Sequence, residues 1–173
     1  MGMGTLIADC ARRSLGLAER LVKGIEPHMF ARKPTWGIGG REIDCNHAAF
    51  VLGHLSLYPP RIIAMVGGRP RVEVPETFVE LFKAGSPCRD DPGGTIYPPM
   101  GSVVEVFFGG MREAVEVVGG VSDAVFDRPT PDERYREFFP TVGHACLFLL
   151  NNHVMVHLGQ LSTWRRCMGL PPA

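Results

Sequence analysis

The chain has 173 residues, with 18 Lys and Arg against 18 Asp and Glu, so its formal net charge is zero. That length accommodates one domain with a sizeable core and requires no second, so residues 1–173 are read as a single domain. Balanced charge offers no field to gather nucleic acid or anionic lipid, and neither is expected as a partner. The five cysteines, Cys10, Cys45, Cys88, Cys146 and Cys167, are odd in number and form no C-x-x-C pair. They argue against a disulfide framework or a zinc knuckle and for a reducing, cytoplasmic setting. The start MGMGTLIADC lacks the basic region of a signal peptide. Apolar stretches break well short of the roughly 20 residues a membrane span needs.

Apolar residues at Ile7, Cys10, Ala11, Ala18, Leu21, Val22 and Ile25 recur at three-and-four spacing, predicting a first helix from Thr5 to about Ile25, stopped by Pro27. Residues 30–43 carry Pro34, Gly37, Gly39 and Gly40 and read as a connecting loop. Asn46 is a good cap for a second helix running toward Val66, with a kink or break near Tyr58 because Pro59 and Pro60 follow. Residues 69–99 form a long crossover with one short helix from Glu76 to Ala84. Ser102 caps a third long helix closed by Gly119 and Gly120, and Thr141 caps the last, which ends at Arg165 and Arg166 before Gly169 and Pro171. No alternating segment demands a sheet. The fold expected is all-α, a four-helix bundle with a long crossover between the second and third helices.

On the last helix His153 and His157 stand four apart, neighbours on one face with β-carbons about 6 Å apart, so both imidazoles can be aimed at one ion. Around them Leu149, Leu150, Val154, Leu158 and Leu161 make an apolar setting in which ring nitrogens need partners. His54 sits in an equally apolar run, FVLGHLSLY, beside Gly53, which leaves room for close helix approach. Three core histidines satisfied by carbonyls or waters remain the alternative on pattern alone. A H-E-x-x-H protease is excluded because Val154 stands where the glutamate belongs, and di-iron Glu-x-x-His motifs are absent.

The VLGHL segment on the second helix, followed far downstream by HVMVHLGQL and WRRCMGLPP, resembles the DinB-like superfamily over nearly the whole chain. That resemblance implies a bundle whose second and last helices supply a metal triad, here His54, His153 and His157. It implies one divalent transition metal (zinc, nickel or iron) with open coordination positions. Such an ion lowers the pKa of a bound water or thiol, or polarises a carbonyl. It further implies homodimers, a small-molecule substrate and, in members of known activity, a low-molecular-weight thiol. The function expected is a metal-dependent thiol transferase or hydrolase; the alternative is a non-catalytic metal- or ligand-binding stress-response bundle.

Gln160 shares the face of His157 and is a candidate to orient what binds there, while His47, two turns before His54, is a candidate for the pocket rim. Trp36, Tyr58 and Tyr97 are candidates for a substrate mouth. Arg165 and Arg166 suit a helix C-terminus, or alternatively an acidic thiol. Residues 69–99 and 129–139 are the segments expected to shape the pocket.

Overall fold

In the computed structural model, which describes residues 2–173, helix α1 spans Met3–Val22. Its buried side, Ile7, Ala8, Ala11, Leu15, Ala18 and Leu21, keeps the three-and-four spacing of one face. The helix ends before Ile25 because Gly24 takes a left-handed φ of 78°, a conformation that suits glycine just past a helix end. The following segment departs from the expected plain loop. Strands β1 (Thr35–Trp36) and β2 (Arg41–Glu42) pair antiparallel around the glycine-rich turn. Lys33, almost wholly buried, closes the base of this hairpin on Glu42 at 3.1 Å and Asp44 at 2.9 Å.

Helix α2 covers Ala48–Leu55, and every one of its residues is buried. It is capped by His47 rather than Asn46: the His47 Nδ1 accepts from the Phe50 amide at 3.2 Å. As the two prolines dictate, the helix breaks at Ser56–Tyr58, and α3 (Pro59–Met65) restarts with Pro59 in its first turn, where a missing N–H costs nothing. The crossover contains α4, Glu76–Phe82. Two buried carboxylates pin its irregular parts. Glu113 accepts from the amides of Arg71 (2.8 Å) and Val72 (3.0 Å), and Asp91 accepts from those of Thr95, Ile96 and Tyr97 at 2.9–3.1 Å.

Helix α5 spans Met100–Gly120, starting three residues earlier than a Ser102 cap suggested, with Pro99 at the cap. The last helix is not continuous: α6 (Val142–Leu147) passes through a π-helical turn at Phe148–Asn152 into α7 (His153–Cys167). Helix α5 packs on α1, α2 and α3, while α7 packs on α1 and α2, so the bundle closes as a ring in the order α1, α5, α2 with α3, then α6 with α7. Phe107, Met111, Ile62, Leu52, Leu158 and Leu161 meet at its centre, all but inaccessible to solvent. Each such large side chain contributes about 1.5–3 kcal/mol by leaving water. Among the described residues no helix is long and apolar enough to cross a membrane.

Candidate metal centre

Because α2 is buried all round, His54 has no solvent-facing alternative and projects toward α7 from between Gly53 and Leu55. Four residues apart on α7, His153 and His157 face it. The His153 Nε2 lies 3.3 Å from the His54 Nε2 and 3.1 Å from the His157 Nε2. One ring nitrogen from each of the three falls within 4.8 Å of the others, the one such histidine, cysteine or carboxylate cluster among the described residues.

Hydrogen bonds at the far side of two rings fix which nitrogen is free. The His54 Nδ1–H donates to the Phe82 carbonyl at 2.7 Å, and the His157 Nδ1–H donates to the Gln160 Oε1 at 3.0 Å. Each bond leaves an Nε2 lone pair directed into the cluster. Gln160 is itself held by the Asn46 side-chain amide at 3.2 Å, so the residue nominated as a helix cap instead steadies the partner of His157. His153 differs: its buried Nδ1 has no hydrogen-bond partner. Packing orients this ring, between the Tyr58 ring at 4.5 Å and the Phe148 ring at 5.9 Å.

This donor set fits a transition metal ion. Two nitrogens about 2.1 Å from one ion stand about 3.0 Å apart at a right angle and about 3.4 Å apart at the tetrahedral angle. The observed 3.1 and 3.3 Å fall in that interval. Without a cation, the His153 Nε2–H can donate to only one of its two neighbours, and when that is His157 the His54 Nε2 takes its hydrogen bond from the Tyr58 hydroxyl instead. Protonation of the cluster is disfavoured. Burial, then the nearby His157 and His54, pushes the His153 imidazole down to about 4, and burial also lowers His54 and His157. All three are neutral at physiological pH, the form that ligates.

Tyr58 belongs to the site more closely than a place at the mouth implies. Its hydroxyl donates to the His54 Nε2 at 3.1 Å, and burial raises its pKa, keeping that proton in place. The four-residue spacing from His54 was readable; the helix break at Pro59 obscured it. His47 is corrected in the other direction. It is completely buried, with one ring nitrogen capping α2 and the other donating to the Arg89 carbonyl at 3.0 Å, so it forms no rim. Trp36 is exposed on the hairpin and Tyr97 is buried against Phe82 and His47, so neither of these two forms a mouth. Arg165 is buried and donates to the carbonyls of Leu21, Lys23 and Pro171, which ties the end of α1 to the C-terminus rather than holding an acidic ligand.

Beside the cluster lies a cavity of about 760 Å³ whose wall includes His153 and Tyr58. Lys83 and Ala84 of the crossover, together with residues between Thr130 and Phe139, complete it, so the two irregular segments do shape the pocket. Comparison with protein-family models, with curated proteins and with solved structures finds no match to the chain.

Proposed function

We propose that the chain is a metalloprotein of the DinB-like kind, holding one divalent transition ion (zinc, nickel or iron) on His54, His153 and His157 and acting on small molecules in the adjoining cavity. The convergence of three Nε2 atoms, two of them fixed as lone pairs by bonds on the opposite ring nitrogens, carries this reading. When bound, such an ion supplies Lewis acidity to an oxygen or sulfur that reaches its open positions. The protein's own groups do the rest. Gln160 and the Phe82 carbonyl hold two rings in the ligating tautomer, and Phe148 and Tyr58 hold the third. With the His54 Nε2 engaged as a ligand, the Tyr58 hydroxyl is released from that bond and donates instead to a substrate oxygen in the cavity it lines.

The reaction that suits this layout is metal-dependent transfer with a low-molecular-weight thiol as co-substrate, or hydrolysis with water in its place. No carboxylate lies within the cluster to act as a base, and an ion held by His54, His153 and His157 would supply the activation of the nucleophile. The same reading includes a cytoplasmic location, in keeping with five free cysteines, and a homodimer, which light scattering would register as twice the 19.0 kDa chain mass.

Mass spectrometry of the protein after stripping and reloading with zinc, nickel or ferrous iron should find one ion per chain. Any one of His54→Ala, His153→Ala and His157→Ala should abolish that uptake while helical circular dichroism persists. Failure of the unaltered chain to retain any of the three metals would end this reading.

A further inference from the structure

The cavity beside His153 carries an uncompensated positive charge that the net neutrality of the chain conceals. Three cations, Arg61, Lys83 and Arg134, and one carboxylate, Asp132, stand on its wall. That carboxylate is already committed: Arg134 holds it through its guanidinium at 2.6 and 3.0 Å and through its backbone amide at 3.1 Å. Among the described residues Arg61 and Lys83 have no ion-pair or side-chain hydrogen-bond partner. Arg61 is also tied to the metal cluster. Its guanidinium lies 5.7 Å from the centre of the Tyr58 ring, whose hydroxyl reaches His54.

The rest of the wall is largely apolar, with Leu57, Met65, Phe139, Phe148 and Leu149 among its residues. Two unpaired cations on the wall of a largely apolar cavity that also includes His153 match a ligand that has an anionic group and an apolar or aromatic body. The cavity's volume of about 760 Å³ is in the range of metabolite-sized ligands. We propose that this cavity selects small organic anions, carboxylates or phosphate esters, whose charge is held by Arg61 and Lys83, whose body lies on Phe139 and Phe148, and whose reacting end faces His153. This substrate class rests on the metal-dependent function proposed above, but the anion preference belongs to side chains that bind no metal.

Calorimetric titration of zinc-loaded and metal-stripped protein with 3-phenylpropionate, its uncharged amide, and phenyl phosphate separates the two. Each exposed cation is worth roughly threefold in affinity, so the acids should bind about tenfold tighter than the amide at low salt, less so at high salt. The preference should survive stripping and should vanish in the double variant R61Q/K83Q, which alters two exposed side chains and leaves the fold intact. Labelled histidine should report ligand contact at the His153 ring. If only 3-phenylpropionate or only phenyl phosphate shows the preference, the anion class narrows to carboxylate or to phosphate ester. Equal binding of acid and amide, or no binding of either acid at millimolar concentration, would overturn the proposal. So would a preference that disappears on stripping and ignores R61Q/K83Q, since the anion is then a metal ligand. A preference that persists in a protein unable to load metal would sustain the anion site and sink only the metalloprotein reading.

Discussion

His47 spends both ring nitrogens on the backbone, accepting from the Phe50 amide and donating to the Arg89 carbonyl, and it does so without any exposure to water. Burial pushes its imidazole down to about 4, with Lys33 nearby adding to the effect and Asp90 opposing it. Above the unfolded value near 6.5 both states are neutral and the group contributes nothing to pH dependence. Between 6.5 and about 4 the unfolded chain takes up a proton that the folded chain refuses, so stability falls as pH falls, by up to about 1.4 kcal/mol per pH unit. Asparagine is a good helix cap and does not titrate. The variant His47→Asn, lacking the ring's packing on Tyr97, should therefore be about 1–2 kcal/mol less stable than the parent at pH 7.5. The difference should shift by about 2 kcal/mol in the variant's favour toward pH 4.5, closing or reversing the gap, in urea unfolding of metal-free protein. Parallel stability curves for the two proteins across this range would show that His47 is not the acid-sensitive group.

Between elements, the contact on which His54 depends is that of α2 with α4. A β-carbon on Gly53 would stand 2.5–2.6 Å from three atoms of the Phe82 ring, closer than real contacts allow. Phe82 cannot step aside, since it is fully buried between Phe50, Phe78 and Tyr97, and its carbonyl holds the His54 Nδ1. Gly53→Ala should thus cost about 1–3 kcal/mol of stability through overpacking. By displacing the carbonyl that sets the His54 tautomer, it should also weaken zinc binding about 10- to 100-fold, read by competition with a chromophoric chelator. A destabilised protein with unaltered zinc affinity would mean that Phe82 does not orient His54. Much of this element-level layout was legible beforehand. The helical period brought His153 and His157 together, and Pro59 with Pro60 announced the break near Tyr58. The π turn at Phe148–Asn152 was not legible, because its wider hydrogen bonding has no residue signature of its own. The helix caps were misassigned for a related reason. Asn46 and His47 are both able to cap, and only the tertiary partner of Asn46, Gln160, decides between them.

For the whole molecule, the order of helices could be read from the sequence, while their closure into a ring and the opening of a cavity at His153 could not, since residues 69–99 and 129–139 lack periodicity. That closure decides what the metal does for stability. The histidine cluster bridges α2 and α7 alone, whereas buried apolar side chains from every helix of the ring meet in the core without it. The bundle therefore stands without an ion, unlike a zinc finger, whose folding energy is its binding energy. An ion that binds only the folded state still adds stability by mass action, about 2.7 kcal/mol at a free concentration one hundred times its Kd. For a chain of this length about 2–4 °C of Tm corresponds to each kcal/mol, so calorimetry should show the stripped protein unfolding cooperatively about 5–10 °C below the loaded one. The difference should grow with the logarithm of free metal, and the His153→Ala variant should show none. A stripped chain without helical structure at room temperature would instead make the ion a structural element. In that case the open face toward the cavity would have to be sought elsewhere than on the metal.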